Sequence, residues 1–462
     1  MKTTAKRSCI IIVLIVAVVA GLTVLGVRFA VNGEEWATLR ANEHLNEGGS
    51  FIAAGNVTDR NGEILAYTEG EERRYNDSER IRRSTLHILG DTEGYISSGV
   101  QTAYKTRLAG YSPVTGLHSL KKYGKGNDVS LTIDSQVCAL AYDCLNGKNG
   151  VVAAYNYETG EILCSVSSPN YDIENKPSSE EIDKNEDGKY DGIYLNRLVD
   201  GLYTPGSVFK IITTASAVEN VPNLDSWTYT CTGEEIVDGV KVTCPSVHGE
   251  MDFEEAFANS CNGAFAVMSK ELGKEKLSLT AKEFRFGESF AFGNSETDAS
   301  IFDVSAANDA DLAWASVGQY TTLVNPYHML TMLGAVANNG EAVFPYAVST
   351  ITSPAGRVVQ ETKPRSEVYI TPEVANKVEA MMRNNVETNY GDYNFEGLSM
   401  CGKTGTAEVA DGSKPHSWFA GFSQNPQCPI AIVVVVENGG WGASTALPIA
   451  SEVMEAVYKT LS

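Results

Sequence analysis

Tyr203-Thr-Pro-Gly-Ser207-Val-Phe-Lys210 runs into Ile-Ile-Thr-Thr-Ala-Ser-Ala217, a helical pattern entered through a Pro-Gly turn. A serine that opens a helix lies near the positive end of its dipole, where an oxyanion is favoured. Three residues separate Ser207 from Lys210, so both occupy one helical face and the amine can reach the hydroxyl. Such a pair is the centre of a serine acyl-transfer enzyme that needs no histidine–aspartate couple.

The quartet alone is cheap: at average composition roughly one or two Ser-x-x-Lys strings arise by chance in a chain this long. Ser119-Leu-Lys-Lys122 is another, but it meets Tyr-Gly-Lys-Gly at once, which no helix tolerates. Two further strings add the discrimination. Ser260-Cys-Asn262 supplies a second hydroxyl and an amide, whereas Ser168-Pro-Asn170 and Ser423-Gln-Asn425 fall on the wrong side of their neighbours. Lys403-Thr-Gly405 occurs once and supplies a cation for an anionic substrate. The candidate site residues are Ser207, Lys210, Ser260, Asn262, Lys403, Thr404, Gly405 and Thr406.

At 462 residues the chain is long enough for two or three domains, and 43% hydrophobic content with 20% charged residues is ordinary globular material. Its N-terminus is different. Lys2, Lys6 and Arg7 precede an uncharged run from Ser8 to Val27, closed by Arg28. About twenty helical residues span roughly 30 Å, enough to cross a bilayer. The expected arrangement is an uncleaved signal anchor over residues 8–28, with 1–7 cytoplasmic and the remainder outside. A net charge of −22, concentrated beyond the anchor, argues against a nucleic-acid partner.

Nine cysteines are present. Cys231 and Cys244 flank a hairpin pattern with Asp238-Gly239 at its turn, where a disulfide is one possibility. The other cysteines read as small buried apolar side chains. No Cys or His spacing suggests a zinc site, His248 reads as a packed or hydrogen-bonding histidine, and no metal or cofactor is expected. Asp183-Lys-Asn185-Glu-Asp187-Gly188-Lys-Tyr-Asp191 copies the first nine positions of a calcium loop, but position 12 is Tyr194; a solvated acidic insertion is the preferred reading.

Strands are expected around Asn61-Gly62 as a hairpin, at 129–134, at 150–157 and 161–166, at 417–423 and at 430–437. Helices are expected at 136–145, 253–272, 326–338 and 447–461. Strands at both ends with helices between predict an α+β domain, an antiparallel sheet flanked by helices and closed by both ends of the domain.

With these landmarks in place the chain resembles the class B penicillin-binding proteins, membrane-anchored D,D-transpeptidases of peptidoglycan synthesis. Beyond the three motifs, Asp59-Arg-Asn-Gly62, Leu131-Thr-Ile-Asp134, Leu195-Asn-Arg197, His248-Gly249, Gly318-Gln319, Ala337-Asn-Asn-Gly340 and Trp418-Phe-Ala-Gly421 match in order. Two positions depart: Ala54 stands where the family usually has Arg, and Tyr320 where Gly is frequent. The resemblance implies a serine β-lactamase-like transpeptidase domain over 128–462 and a small pedestal over 29–127.

It also implies a reaction. Ser207 would attack the bond between two D-alanines of a stem peptide, with a neutral Lys210 as base and Ser260 relaying the proton. Asn262 would hold Lys210 and substrate backbone. Lys403, Thr404 and Thr406 would meet the terminal carboxylate, and a bare Gly405 would leave room for substrate backbone. The oxyanion would rest on the N–H groups of Ser207 and Thr406. β-Lactams would acylate Ser207, and a separate multi-span glycosyltransferase would supply the glycan. A β-lactamase is disfavoured because no Glu-x-x-Leu-Asn segment lies between Ser260 and Lys403.

Overall fold

The computed structural model describes residues 2–37, 54–70, 72–110, 125–185, 188–409 and 412–461. The Ser119 quartet therefore lies outside the described residues. The helix Lys2–Ala37 contains an apolar stretch, Ile10–Phe29, long enough to cross a membrane and exposed along its length.

The centre is a five-stranded antiparallel sheet in the order Met400–Ala407, His416–Ser423, Ile430–Val436, Gly150–Asn156, Ile162–Ser168. Early and late segments of the chain meet in its middle, as the sequence pattern predicts. Ile430–Val436 is buried at every position, because helices cover both faces of the sheet. Ser135–Leu145 and Gly442–Leu461 pack on one side, and Pro326–Ala337 and Pro372–Asn385 on the other. A strand buried on both faces has no use for alternating polar residues, hence the unbroken Ile-Ala-Ile-Val-Val-Val-Val.

A second sheet has six strands: Val358–Glu361, Val348–Thr352, Asp128–Leu131, Val57–Thr58, Ile64–Glu69 and Glu72–Tyr75. It draws strands from both sides of the boundary expected at 127/128, so the N-terminal segment is stitched to the later chain by backbone hydrogen bonds. Buried Asp59 strengthens that seam. Its carboxylate accepts from Asn61 and Glu63 backbone N–H groups in the hairpin, and from the Ser135 backbone and hydroxyl at the start of a helix. Where Ala54 departs from the family pattern, the Arg73 guanidinium donates instead to the Gly55 carbonyl at 2.8 Å and to Gln101 at 2.9 Å.

One expectation is corrected. The continuous helix expected over 253–272 is two helices, Phe253–Ala258 and Asn262–Glu283, because Ser260 sits at φ +52° and ends the first. In the segment that copies a calcium loop, Asp183 lies in the short helix Ser179–Lys184, and the Asn185 amide donates to the Asp191 carboxylate. Positions 186–187 lie outside the described residues.

Candidate active site

Ser207 lies in a 3-10 turn, Gly206–Phe209, that feeds the buried helix Lys210–Asn220. Its approach is dictated by glycines. Gly206 has φ +55°, and a Cβ there would lie 2.7 Å from the Thr406 carbonyl oxygen. A Cβ on Gly318 would lie 2.1 Å from the Gly206 carbonyl, and the Gly206 N–H donates to the Gly318 carbonyl at 2.9 Å. Trp418 Nε1 fixes the Thr204 carbonyl at 3.0 Å. Ser207 is thereby pressed between the strand Met400–Ala407 and the Gly318 loop, beside Thr406. Tyr320, two residues on from Gly318, occupies φ +61°, which explains why glycine suits that position.

Gly405 serves the same packing. A Cβ on it would meet the Pro205 carbonyl at 2.6 Å and Trp418 Cβ at 3.0 Å. The space it vacates is thus taken by the lead-in to Ser207, a reason internal to the protein and different from the one expected.

Lys210 is fully buried. Its Nζ lies 2.7 Å from the Ser260 carbonyl, 3.2 Å from Ser260 Oγ and 2.8 Å from Asn262 Oδ1. Among these partners only the Ser260 hydroxyl can also donate. Nζ lies in donor reach of all three oxygens; once neutral, the amine keeps its two N–H bonds for the carbonyl and the amide oxygen and has a lone pair free to take a proton. Burial first, then the Lys403 charge, push the Lys210 pKa well below the ordinary lysine value. Among the described residues Lys210 makes no hydrogen bond to Ser207. Asn262 is held from its other end by Nδ2 donating to the Thr243 carbonyl at 2.8 Å.

Lys403 is 1% exposed, in the edge strand Met400–Ala407, with Nζ 5.8 Å from the Phe257 ring centre. Burial lowers its pKa to about 7. The Thr406 hydroxyl accepts from the Gly442 N–H at 3.2 Å, leaving its own proton available.

Sequence reasoning missed Tyr390. Its hydroxyl accepts from the Thr404 N–H and pairs with Thr404 Oγ1, both at 2.9 Å. Nearby, Asn385 donates to the Gly402 carbonyl and Asn389 to the Ala258 carbonyl. These three residues come from the end of the helix Pro372–Asn385 and the turn after it, and they lock the Lys403 strand to the segment before Ser260. Nothing in their spacing signals this role, since only the fold puts that turn against the strand.

The expectation that no Cys or His spacing suggests a metal site also needs revision. Cys231, Cys244, His248 and Cys261 converge, with one ligand atom from each lying within 4.8 Å of all the others. Their separations follow no short motif, because the cluster is closed by strand pairing rather than by adjacency. Cys231 and Cys244 carry free thiols.

Residues 150–455 match the family described as the penicillin-binding protein transpeptidase domain. A peptidoglycan D,D-transpeptidase PbpA of Mycolicibacterium smegmatis is 28% identical, the match covering 99% of each chain. A peptidoglycan D,D-transpeptidase MrdA of Haemophilus influenzae is 24% identical, across 93% of this chain and 72% of its own. The crystal structure of PBPA from Mycobacterium tuberculosis superposes with a TM-score of 0.74 at 25% identity, over 87% of this chain and 99% of the other. The penicillin G acyl-enzyme complex of penicillin-binding protein A from the same organism has a TM-score of 0.76 at 24% identity, again over 87% and 99%, which establishes a shared fold.

Proposed function

The chain belongs to the penicillin-binding protein transpeptidase family, and from that premise we propose that it is a serine D,D-transpeptidase of peptidoglycan, acylated at Ser207 by stem peptides and by β-lactams. The observation that carries the reading is the buried Lys210 amine, hydrogen-bonded to Ser260 and Asn262 next to a second buried lysine.

In this reading the Ser207 hydroxyl attacks the carbonyl of the penultimate D-alanine and gives its proton to neutral Lys210. The oxyanion is held by the Ser207 and Thr406 N–H groups; losing such a donor costs about 3–4 kcal/mol of barrier. As the intermediate collapses, Ser260 passes the proton to the leaving D-alanine amine. An amine from a second stem then attacks the Ser207 ester and forms the cross-link. Lys403, with Thr404 and Thr406, binds the terminal carboxylate, and its positive charge is restored by that anion. Asn262 orients Lys210 and donates to substrate backbone.

The long apolar helix supports a membrane anchor at 8–28, with 1–7 cytoplasmic, a pedestal over 29–127 and the transpeptidase unit over 128–462 on the outer face. A multi-span glycosyltransferase in the same membrane would provide the glycan strands.

Labelling with fluorescent penicillin tests the assignment. Wild type is expected to retain one covalent label through gel electrophoresis, and folded Ser207→Ala to retain none. A labelled Ser207→Ala protein, or rapid release of penicilloate from wild type, would defeat it.

A further inference from the structure

We propose that Cys231, Cys244, His248 and Cys261 bind a zinc ion as a closed four-ligand structural site. Geometry is the first ground. A tetrahedral zinc with Zn–S bonds near 2.3 Å separates its sulfurs by roughly 3.8 Å. The Sγ atoms of Cys244 and Cys261 are 3.7 Å apart, that spacing and far from the about 2.05 Å of a disulfide. Three soft sulfurs and an imidazole select zinc over magnesium or calcium, which favour oxygen ligands.

The surroundings are the second ground. Each sulfur faces a backbone N–H: Gly233 to Cys231 at 3.4 Å, Gly263 to Cys244 at 3.3 Å and Ala264 to Cys261 at 3.5 Å. Donors arranged this way stabilise negative sulfur, the form a metal binds. His248 Nδ1 is buried and has no hydrogen-bond partner among the described residues, an expense that a metal bond removes. Strand pairing delivers these ligands. Cys231 is the register partner of Gly249, which brings His248 alongside, and the Cys244 N–H bonds the Gly233 carbonyl at the mouth of the hairpin Glu234–Val237/Val240–Thr243.

The ion would act on the active site through position. Cys261 is the middle residue of Ser260-Cys-Asn262 and caps the helix Asn262–Glu283 with its own sulfur. Zinc would therefore bolt that turn, which carries Ser260 at an unfavourable φ, to the hairpin whose Thr243 carbonyl holds Asn262. The metal claim is independent of the transpeptidase reading, so its readout is metal rather than activity.

The test uses full-length protein purified in detergent under reducing conditions from zinc-supplemented cells. Elemental analysis is expected to find about one zinc per chain. Replacement by cobalt(II) should give intense thiolate-to-metal charge-transfer absorption with tetrahedral visible bands. Cys231→Ser and His248→Asn should each lower zinc affinity at least tenfold, while Cys144→Ser, remote from the cluster, keeps it. The cobalt spectrum of wild type stands even where a variant misfolds. Absence of stoichiometric zinc, weak octahedral cobalt bands, or peptide mapping that recovers a Cys231–Cys244 disulfide from the zinc-supplemented protein would overturn the proposal.

Discussion

Lys210 and Ser260 meet twice: the buried amine is 2.7 Å from the Ser260 carbonyl and 3.2 Å from its hydroxyl. One contact positions the amine and the other exchanges a proton. Ser260→Ala removes only the second, since the carbonyl remains. Acylation by penicillin is expected to fall about 10²–10⁴-fold, the range for loss of a proton-transfer group, with the thermal midpoint little changed. Stopped-flow acylation kinetics check this, and near-native rates would take Ser260 out of the proton path.

The two buried lysines set the pH dependence. Acylation needs Lys210 neutral and Lys403 charged, and the free-enzyme pKa of Lys403 is about 7. The second-order acylation rate should therefore decline above roughly pH 7 as Lys403 loses its proton. Lys403→Arg keeps its charge and should move that decline upward. A carboxylate-bearing ligand at saturation should do the same, because the anion favours the protonated lysine. The sign for stability is opposite. Lys403 has a depressed folded-state pKa, so the unfolded chain holds more protons between about pH 7 and 10.5, and this contribution to stability rises with pH across that window; the depressed Lys210 acts in the same direction. A rate still climbing at pH 9 in wild type would contradict the assignment.

Gly405 tests whether the nucleophile is seated by packing. A methyl group there meets the Pro205 carbonyl at 2.6 Å, and that oxygen belongs to backbone. Gly405→Ala should cost about 1–3 kcal/mol of stability and displace Ser207 from Thr406, slowing acylation more than it weakens penicillin binding. Denaturant unfolding and separation of the binding and acylation constants decide the case. A variant of native stability and rate would show that the strand yields freely.

Arg82 and Asp172 join the N-terminal segment to the larger unit. The helix Glu79–Leu89 sends Arg82 Nε and Nη2 to both oxygens of Asp172, at 2.6 and 2.8 Å, and the Asp172 side chain is 1% exposed. Leaving that carboxylate unpaired by Arg82→Met should cost about 3–5 kcal/mol. The Arg82 hydrogen bonds lower the Asp172 pKa to about 2 from 3.8. The pair's contribution is thus complete above pH 3.8 and lost as pH falls through about 2. Thermal unfolding of both proteins at neutral and acidic pH measures it; equal midpoints would show the contact to be idle.

The central sheet was readable because four of its five strands carry their own signal. Ile430–Val436 is apolar throughout, and the pair Gly150–Asn156 and Ile162–Ser168 is joined by a recognisable turn. The second sheet was not, since Val57–Thr58 is two residues long and Val348–Thr352 finds Asp128–Leu131 across more than two hundred residues. The break at Ser260 was missed for a similar reason. Helix-forming residues lie on both sides, and the φ of +52° in between is held by tertiary contacts, those of Cys261 and Asn262 with the hairpin and of Lys210 with the Ser260 carbonyl.

By itself the sequence determined the chemistry available to this protein: one helix-opening serine, a lysine a turn later, a hydroxyl-amide pair and a lysine in a Lys-Thr-Gly string, because local spacing alone decides which side chains share a helical face or a short motif. Only the tertiary structure decided their electrical state and their supports. Burial of Lys210 and Lys403 side by side, the Tyr390 clamp on Thr404, and the meeting of Cys231, Cys244, His248 and Cys261 all depend on segments distant in the chain being brought into contact. Desolvation and through-space charge act on that arrangement and are invisible to residue order.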